Sequence, residues 1–192
     1  MIHIVTDSTC DIPQEVINEL NITVVPCFIN FGNQSYKDGV EISRQEFYER
    51  LVTSPDLPTT SAPNIDSFAA TYAKLVEEGA EGIISLHMSA TLGSTFNAAQ
   101  LAAETIQNVP VKVIDSCQLT LGLGFLVIVA ARMAKLGHHM GDIIDSIKEM
   151  INRVYSFAVV DTLEYLRRSG RISHLKYQLA TLLEIKPVIK IY

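Results

Sequence analysis

No run in this 192-residue sequence is apolar for long enough to cross a bilayer. The longest uncharged apolar stretch, residues 119–131, stops well short of the roughly 20 residues that a spanning helix needs. It contains Gly122 and Gly124, and it reads as a buried helix. Cysteine is scarce. The three present, Cys10, Cys27 and Cys117, are odd in number and lack CxxC spacing, which argues against a disulfide framework and against a zinc site. A reducing, cytoplasmic setting is the expectation. Basic residues are outnumbered, 15 against 21 acidic, so the footprint of a nucleic-acid partner is missing. Residues 1–5 run straight into Thr6-Asp7-Ser8 with no charged n-region, so no secretory address is expected. Two catalytic signatures are also absent: there is no G-x-S-x-G elbow and no P-loop.

What is present suits a protein with a well-filled core: hydrophobic residues make up 48% and charged residues 19%. Apolar runs alternate with helix-period segments. Residues 2–6, 23–25, 28–31, 83–86, 111–114, 157–160 and 188–191 read as extended. Ser43 and Glu46 have capping-box spacing and open a helix whose inner face is Phe47, Tyr48 and Leu51. Residues 55–63, with three prolines, read as a loop. Beyond it Ile65, Phe68, Ala69, Tyr72, Leu75 and Val76 fall on one helical face that ends at Gly79. Further helices are expected over 94–106, 119–136, the stretch around Ile143 to Ile151, and 175–183. This alternation predicts an α/β fold, a parallel sheet sandwiched by helices. Right-handed crossovers then gather Asp7-Ser8, the 89–94 loop and Asp115-Ser116 at the carboxyl edge of the sheet.

A soft boundary near residues 152–155 divides an N-terminal α/β domain, 1–152, from the start of a second α/β domain, 153–192. The second is too short for an independent core and reads as truncated. Its last run, 188–191, looks like a strand with no partner after it.

Three constellations could carry chemistry. Thr59-Thr60-Ser61-Ala62-Pro63 places hydroxyls ahead of a helix, where they would either cap it or donate to an anion. Leu92-Gly93-Ser94-Thr95-Phe96 follows a strand and opens a helix; it is a simple cap or an anion cradle. Residues 161–172 carry Arg167, Arg168 and Arg171 near the end of a short helix capped by Asp161, a solvated helix end or a partner-binding patch. His138-His139 reads as surface, and His3 and His87 as structural residues without a partnered carboxylate. Asp7 and Asp115 leave a second reading open, a small-molecule phosphotransferase or hydrolase, although no base or nucleophile is placed to work with them.

In order and spacing these segments resemble the DegV family of bacterial proteins. Members open with a strand running into Thr-Asp-Ser-Thr, as Thr6-Asp7-Ser8-Thr9 does here. They carry a Thr-Ser-x-Pro loop, matched by Thr60-Ser61-Ala62-Pro63, and a small-residue turn, matched by Leu92 to Phe96. Asp115-Ser116, the 161–172 stretch and Lys186-Pro187 also fit. The resemblance implies two α/β domains with a long-chain fatty acid between them, and a carrier rather than an enzyme. It implies a carboxylate held by Thr60 and Ser61 and by the Gly93-Ser94 turn, with the acyl chain in an apolar tunnel. Presentation of that fatty acid to a separate fatty acid kinase is implied too, with Arg167, Arg168 and Arg171 facing the partner. No metal and no cofactor beyond the bound fatty acid is expected. The chain departs from the pattern at the turn, where Gly93 stands for the usual serine and Ser94 for the usual glycine. The anchor there is the Gly93 or Ser94 N–H, or the Ser94 side chain. Members also carry a complete second domain, most of which is absent here.

Overall fold

A computed structural model of the chain describes residues 1–171 and 188–191. The helix expected over 175–183, the Lys186-Pro187 pair and Ile172 lie outside the described residues. The chain divides into two compact units, Met1–Val154 and Tyr155–Tyr192.

The first unit runs β1 (Ile2–Asp7), α1 (Gln14–Glu19), β2 (Thr23–Val25), β3 (Phe28–Phe31), β4 (Gln34–Lys37) and α2 (Arg44–Thr53). It continues with β5 (Thr59–Ser61), α3 (Ile65–Glu77), β6 (Gly82–His87), α4 (Thr95–Ala103), β7 (Val111–Asp115), α5 (Thr120–Lys135) and α6 (Met140–Ile151). Four strands form a parallel sheet in the order β2-β1-β6-β7, as the alternation predicts.

Side chains along a strand point alternately to its two faces, and here the two sets enter different cores. Ile4, Ile84, Leu86 and Ile114 pack with Leu123, Leu126 and Val127 of α5 and Ile143 and Ile147 of α6. Val5 and Ile83 pack on the other face with Phe68, Tyr72 and Leu75 of α3 and Ala99 and Ala102 of α4. Asp7, Ser85 and His87 share the parity of Val5 and Ile83, so the pleat delivers three polar side chains to the α3 face.

A second sheet, β4-β3-β5, is antiparallel and corrects the reading of 55–63 as a loop. Thr59 and Thr60 are β-branched and suit a strand, while Pro58 and Pro63, lacking N–H donors, bound it. The short polar strand β4 carries no apolar alternation, so periodicity could not reveal it. On α2, Ser43 Oγ accepts from the Glu46 N–H at 3.1 Å as the capping-box spacing predicts. The Glu46 carboxylate turns to Arg50 at 2.6 Å instead, and Tyr48 faces solvent rather than the core. Gly79, at φ +92°, closes α3 in a Schellman arrangement: its N–H donates to Val76 O, and the Ala80 N–H to Leu75 O.

The second unit contains β8 (Ser156–Val159), α7 (Glu164–Arg168) and β9 (Val188–Ile191). Strand β9 is not left without a partner, because it pairs antiparallel with β8.

Helix α5 is buried along much of its length, as expected of so apolar a segment, but Leu121 and Phe125 stand 64% and 49% exposed one turn apart. Gly124 in its interior permits a close approach, since a Cβ there would lie 2.3 Å from Cys10 O. Backbone cannot yield as a flexible side chain does. Gly124→Ala is expected to destabilise the chain by about 1–3 kcal/mol, against the usual gain from removing a helical glycine; urea denaturation measures it.

Candidate functional site

The hydroxyl strand β5 places Thr59, Thr60 and Ser61 at the surface. Thr60 sits opposite Ile29 and Ser61 opposite Phe28 in the pairing with β3, and Ser61 Oγ accepts from the Asn30 amide at 3.3 Å. None of the three caps the next helix. That task falls to Asn64, whose Oδ1 accepts from the Ser67 N–H at 2.9 Å.

The turn after β6 is held from below. Ser89 Oγ lies 2.9 Å from Thr91 Oγ1, and the Ala90 N–H donates to Asp115 Oδ2 at 3.2 Å. Gly93 rests on Met88, whose Cε would stand 3.3 Å from a Cβ at that position. Ser94 occupies the N-cap of α4, yet its side chain makes no capping bond. The simple-cap reading therefore fails at both hydroxyl clusters. The N–H groups of the first turn of α4 have no acceptor inside the helix, which suits an anion.

Cys27 ties these two elements together. Its thiol is within hydrogen-bonding reach of the Ser8 and Thr95 hydroxyls, and burial, then the Asp7 charge, pushes it up to about 12. Such a thiol is inert at neutral pH. Its N–H donates to Ser8 Oγ at 3.1 Å. The next residue, Phe28, is the strand partner of Ser61, so Cys27 links the hydroxyl strand to the buried Thr95 at the start of α4.

Beneath this edge lies a sealed polar chain that sequence reading missed. Tyr72 Oη donates to Ser85 Oγ at 2.8 Å, Ser85 Oγ lies 2.7 Å from His87 Nε2, and His87 Nδ1 lies 2.9 Å from Asp7 Oδ2. All four residues are fully buried. An ionised carboxylate only accepts, which makes His87 Nδ1 the donor and leaves Nε2 to accept from Ser85. Asp7 Oδ2 also accepts from the Met88 N–H at 3.1 Å, and Oδ1 accepts from the Thr9 N–H and hydroxyl. Burial alone would raise the Asp7 carboxyl. The hydrogen bonds from His87, Thr9 and the Met88 N–H outweigh it and hold the group below the usual carboxylate range.

His87 is thus corrected: it has a partnered carboxylate. The signal was available, since Ser85 and His87 interrupt an apolar strand at a spacing of two and so share a face with each other. Ser85, His87 and Asp7 have the residue types of a nucleophilic triad, but Ser85 Oγ is sealed from solvent beneath Tyr72. Asp7 and Asp115 do not form an open pair either. Asp7 is buried with both oxygens engaged, and Asp115 ties the Ala90 and Cys117 N–H groups. Among the described residues, no group of three or more His, Cys, Asp or Glu could hold a metal ion, and no helix is long and apolar enough to cross a membrane.

In the second unit, α7 starts at Glu164 with Leu163, not Asp161, at its N-cap. Arg167 and Arg168 both pair with Glu164, at 2.9 and 2.7 Å, and Arg171 Nη1 donates to Ser169 O. Arg168 and Arg171 remain exposed.

The family model described as an uncharacterised protein of the DegV family matches residues 1–192. The chain belongs to the DegV family. A DegV domain-containing protein of Clostridium perfringens is 37% identical over 190 residues, which is 99% of this chain and 68% of that one. Protein DegV of Bacillus subtilis is 34% identical over 189 residues, covering 98% of this chain and 67% of its own length. The crystal structure of that DegV, described as a fatty acid binding protein, superposes with a TM-score of 0.90 at 33% identity, over 100% of this chain and 68% of that chain. A stearic acid-binding protein from Eubacterium ventriosum gives 0.89 at 31% identity, with 100% and 67% coverage. The chain thus spans about two thirds of the length of these DegV relatives.

The buried Asp7 has a measurable signature. A depressed folded-state pKa contributes stability that is fully present above the unfolded value, about 3.9, and is lost as pH falls through the lower folded value. Asp7→Asn is expected to cost roughly 1.5–3 kcal/mol at pH 7 and to flatten the acid limb. Urea denaturation of both proteins from neutral pH to below pH 4 checks this; parallel pH profiles would contradict the ionised, hydrogen-bonded Asp7.

Proposed function

We propose that this chain binds a long-chain fatty acid as a non-catalytic carrier, with the carboxylate held by neutral donors. The observation that carries the reading is the pair of exposed hydroxyl elements, neither of them spent on capping a helix, that Cys27 joins at the carboxyl edge of the sheet. Thr60 and Ser61 would donate from β5, and the Gly93 and Ser94 N–H groups or the Ser94 hydroxyl from the start of α4. Leu121 and Phe125 expose an apolar stripe at the start of α5, which leaves the same sheet edge and offers a surface for an acyl chain. The fatty-acid-binding relatives support the ligand class. Delivery to a separate kinase, through the exposed Arg168 and Arg171 with Arg167 beside them, belongs to the same proposal. So does a cytoplasmic setting, which the three free cysteines suit.

Thr60→Val keeps the shape of the side chain and its strand preference while removing the donor. A hydrogen bond to a charged group is worth roughly 1.5–3 kcal/mol, so affinity for hexadecanoic acid is expected to fall about tenfold or more, with unchanged melting temperature. Displacement of a fluorescent fatty acid reads the first quantity and calorimetry the second. Unaltered affinity would remove Thr60 from the site.

A further inference from the structure

We infer that the buried Asp7–His87 pair is the positioning element of the carboxylate site, one Asp7 oxygen setting each of its two walls. The inference rests on the fatty-acid reading above.

Asp7 Oδ1 fixes the turn at Ser8 through the Thr9 N–H and hydroxyl. Ser8 Oγ then accepts the Cys27 N–H, and Cys27 leads directly into Phe28, the partner of Ser61 on the hydroxyl strand. That is the path to one wall. Asp7 Oδ2 holds the Met88 N–H, and the Met88 side chain lies against Gly93 immediately before α4. That is the path to the other. His87, locked by Ser85 and Tyr72 and packed edge-on against Phe68 at 5.0 Å, fixes the plane of the carboxylate from which both paths leave. The pair touches no ligand in this scheme; it sets how far apart the two donor groups stand. Donor spacing matters most to a ligand that engages both walls, which is the carboxylate and not the acyl chain.

The test compares hexadecanoic acid with its methyl ester, which keeps the chain and a carbonyl but loses the charge. Asp7→Asn breaks one of the two sides, because an amide has a single acceptor oxygen and must turn its NH2 group toward either the Thr9 donors or the His87 and Met88 donors. Ser8→Ala cuts the path through Cys27 at a less demanding position and decides the matter alone if Asp7→Asn does not fold. Both are expected to reduce the preference for acid over ester about tenfold while leaving ester affinity unchanged. His87→Gln, which can still donate to Asp7 and accept from Ser85, is expected to retain that preference. If Thr60→Val abolishes the preference but Ser8→Ala and Asp7→Asn lower only the melting temperature, the pair is merely structural and the inference is wrong. A wild-type chain that binds neither acid nor ester overturns the function itself, and one that binds both alike overturns the carboxylate site and this inference with it.

Discussion

A carboxylate removed from water keeps its charge only where the protein replaces the lost hydration. Asp7 meets that demand with four donors drawn from three places: two from Thr9, one from the His87 ring and one from the Met88 backbone. Losing any one would leave a desolvated lone pair, at a cost comparable to a large mutational effect. The turn after β1 and the end of β6 therefore cannot shift independently. Through Ser85 and Tyr72 the same constraint reaches α3 on the covering face.

The strand pleat makes this economical. Residues of one parity fill the α5 face with aliphatic side chains alone in the central strands, apart from Thr6 at the end of β1. Those of the other parity place the polar chain under the carboxyl edge, so the apolar core and the polar chain never compete for the same space. Connections that follow parallel strands collect at that edge. A rigid layer then lies beneath loops free to carry donors outward, which is the usual division between scaffold and binding surface.

How much of this the sequence disclosed follows from the range of the signals involved. The parallel sheet was legible because each strand is an apolar run and each covering helix repeats its apolar residues at helical spacing. The hydroxyl clusters were legible as residue types at the starts of predicted helices. Whether they capped those helices was not, because Asn64 competes with the threonines and only geometry shows which side chain reaches the Ser67 N–H. Strands β4 and β5 are short and polar, and their pairing with β3 is tertiary information. The His87–Asp7 contact joins residues 80 apart in sequence, beyond any local pattern, although the shared parity of Ser85 and His87 was visible.

The turn where this chain departs from the DegV pattern fits the same logic. Gly93 is not held in the left-handed region, so its backbone does not demand glycine. A side chain there would meet the flexible end of Met88 at 3.3 Å, a contact that a thioether can relieve by a small rotation. Steric exclusion is therefore a weak account of the missing serine. Ser94 supplies a hydroxyl one residue later, at the N-cap, and that hydroxyl is not consumed by capping. On the proposed carboxylate reading, donation to an anion at a helix start relies on main-chain N–H groups as well as side chains, so moving one hydroxyl by one position would leave most of such a cradle in place. On the same reading the fixed quantity would be the spacing between the start of α4 and β5, which the links through Cys27, Ser8 and Met88 tie back to Asp7.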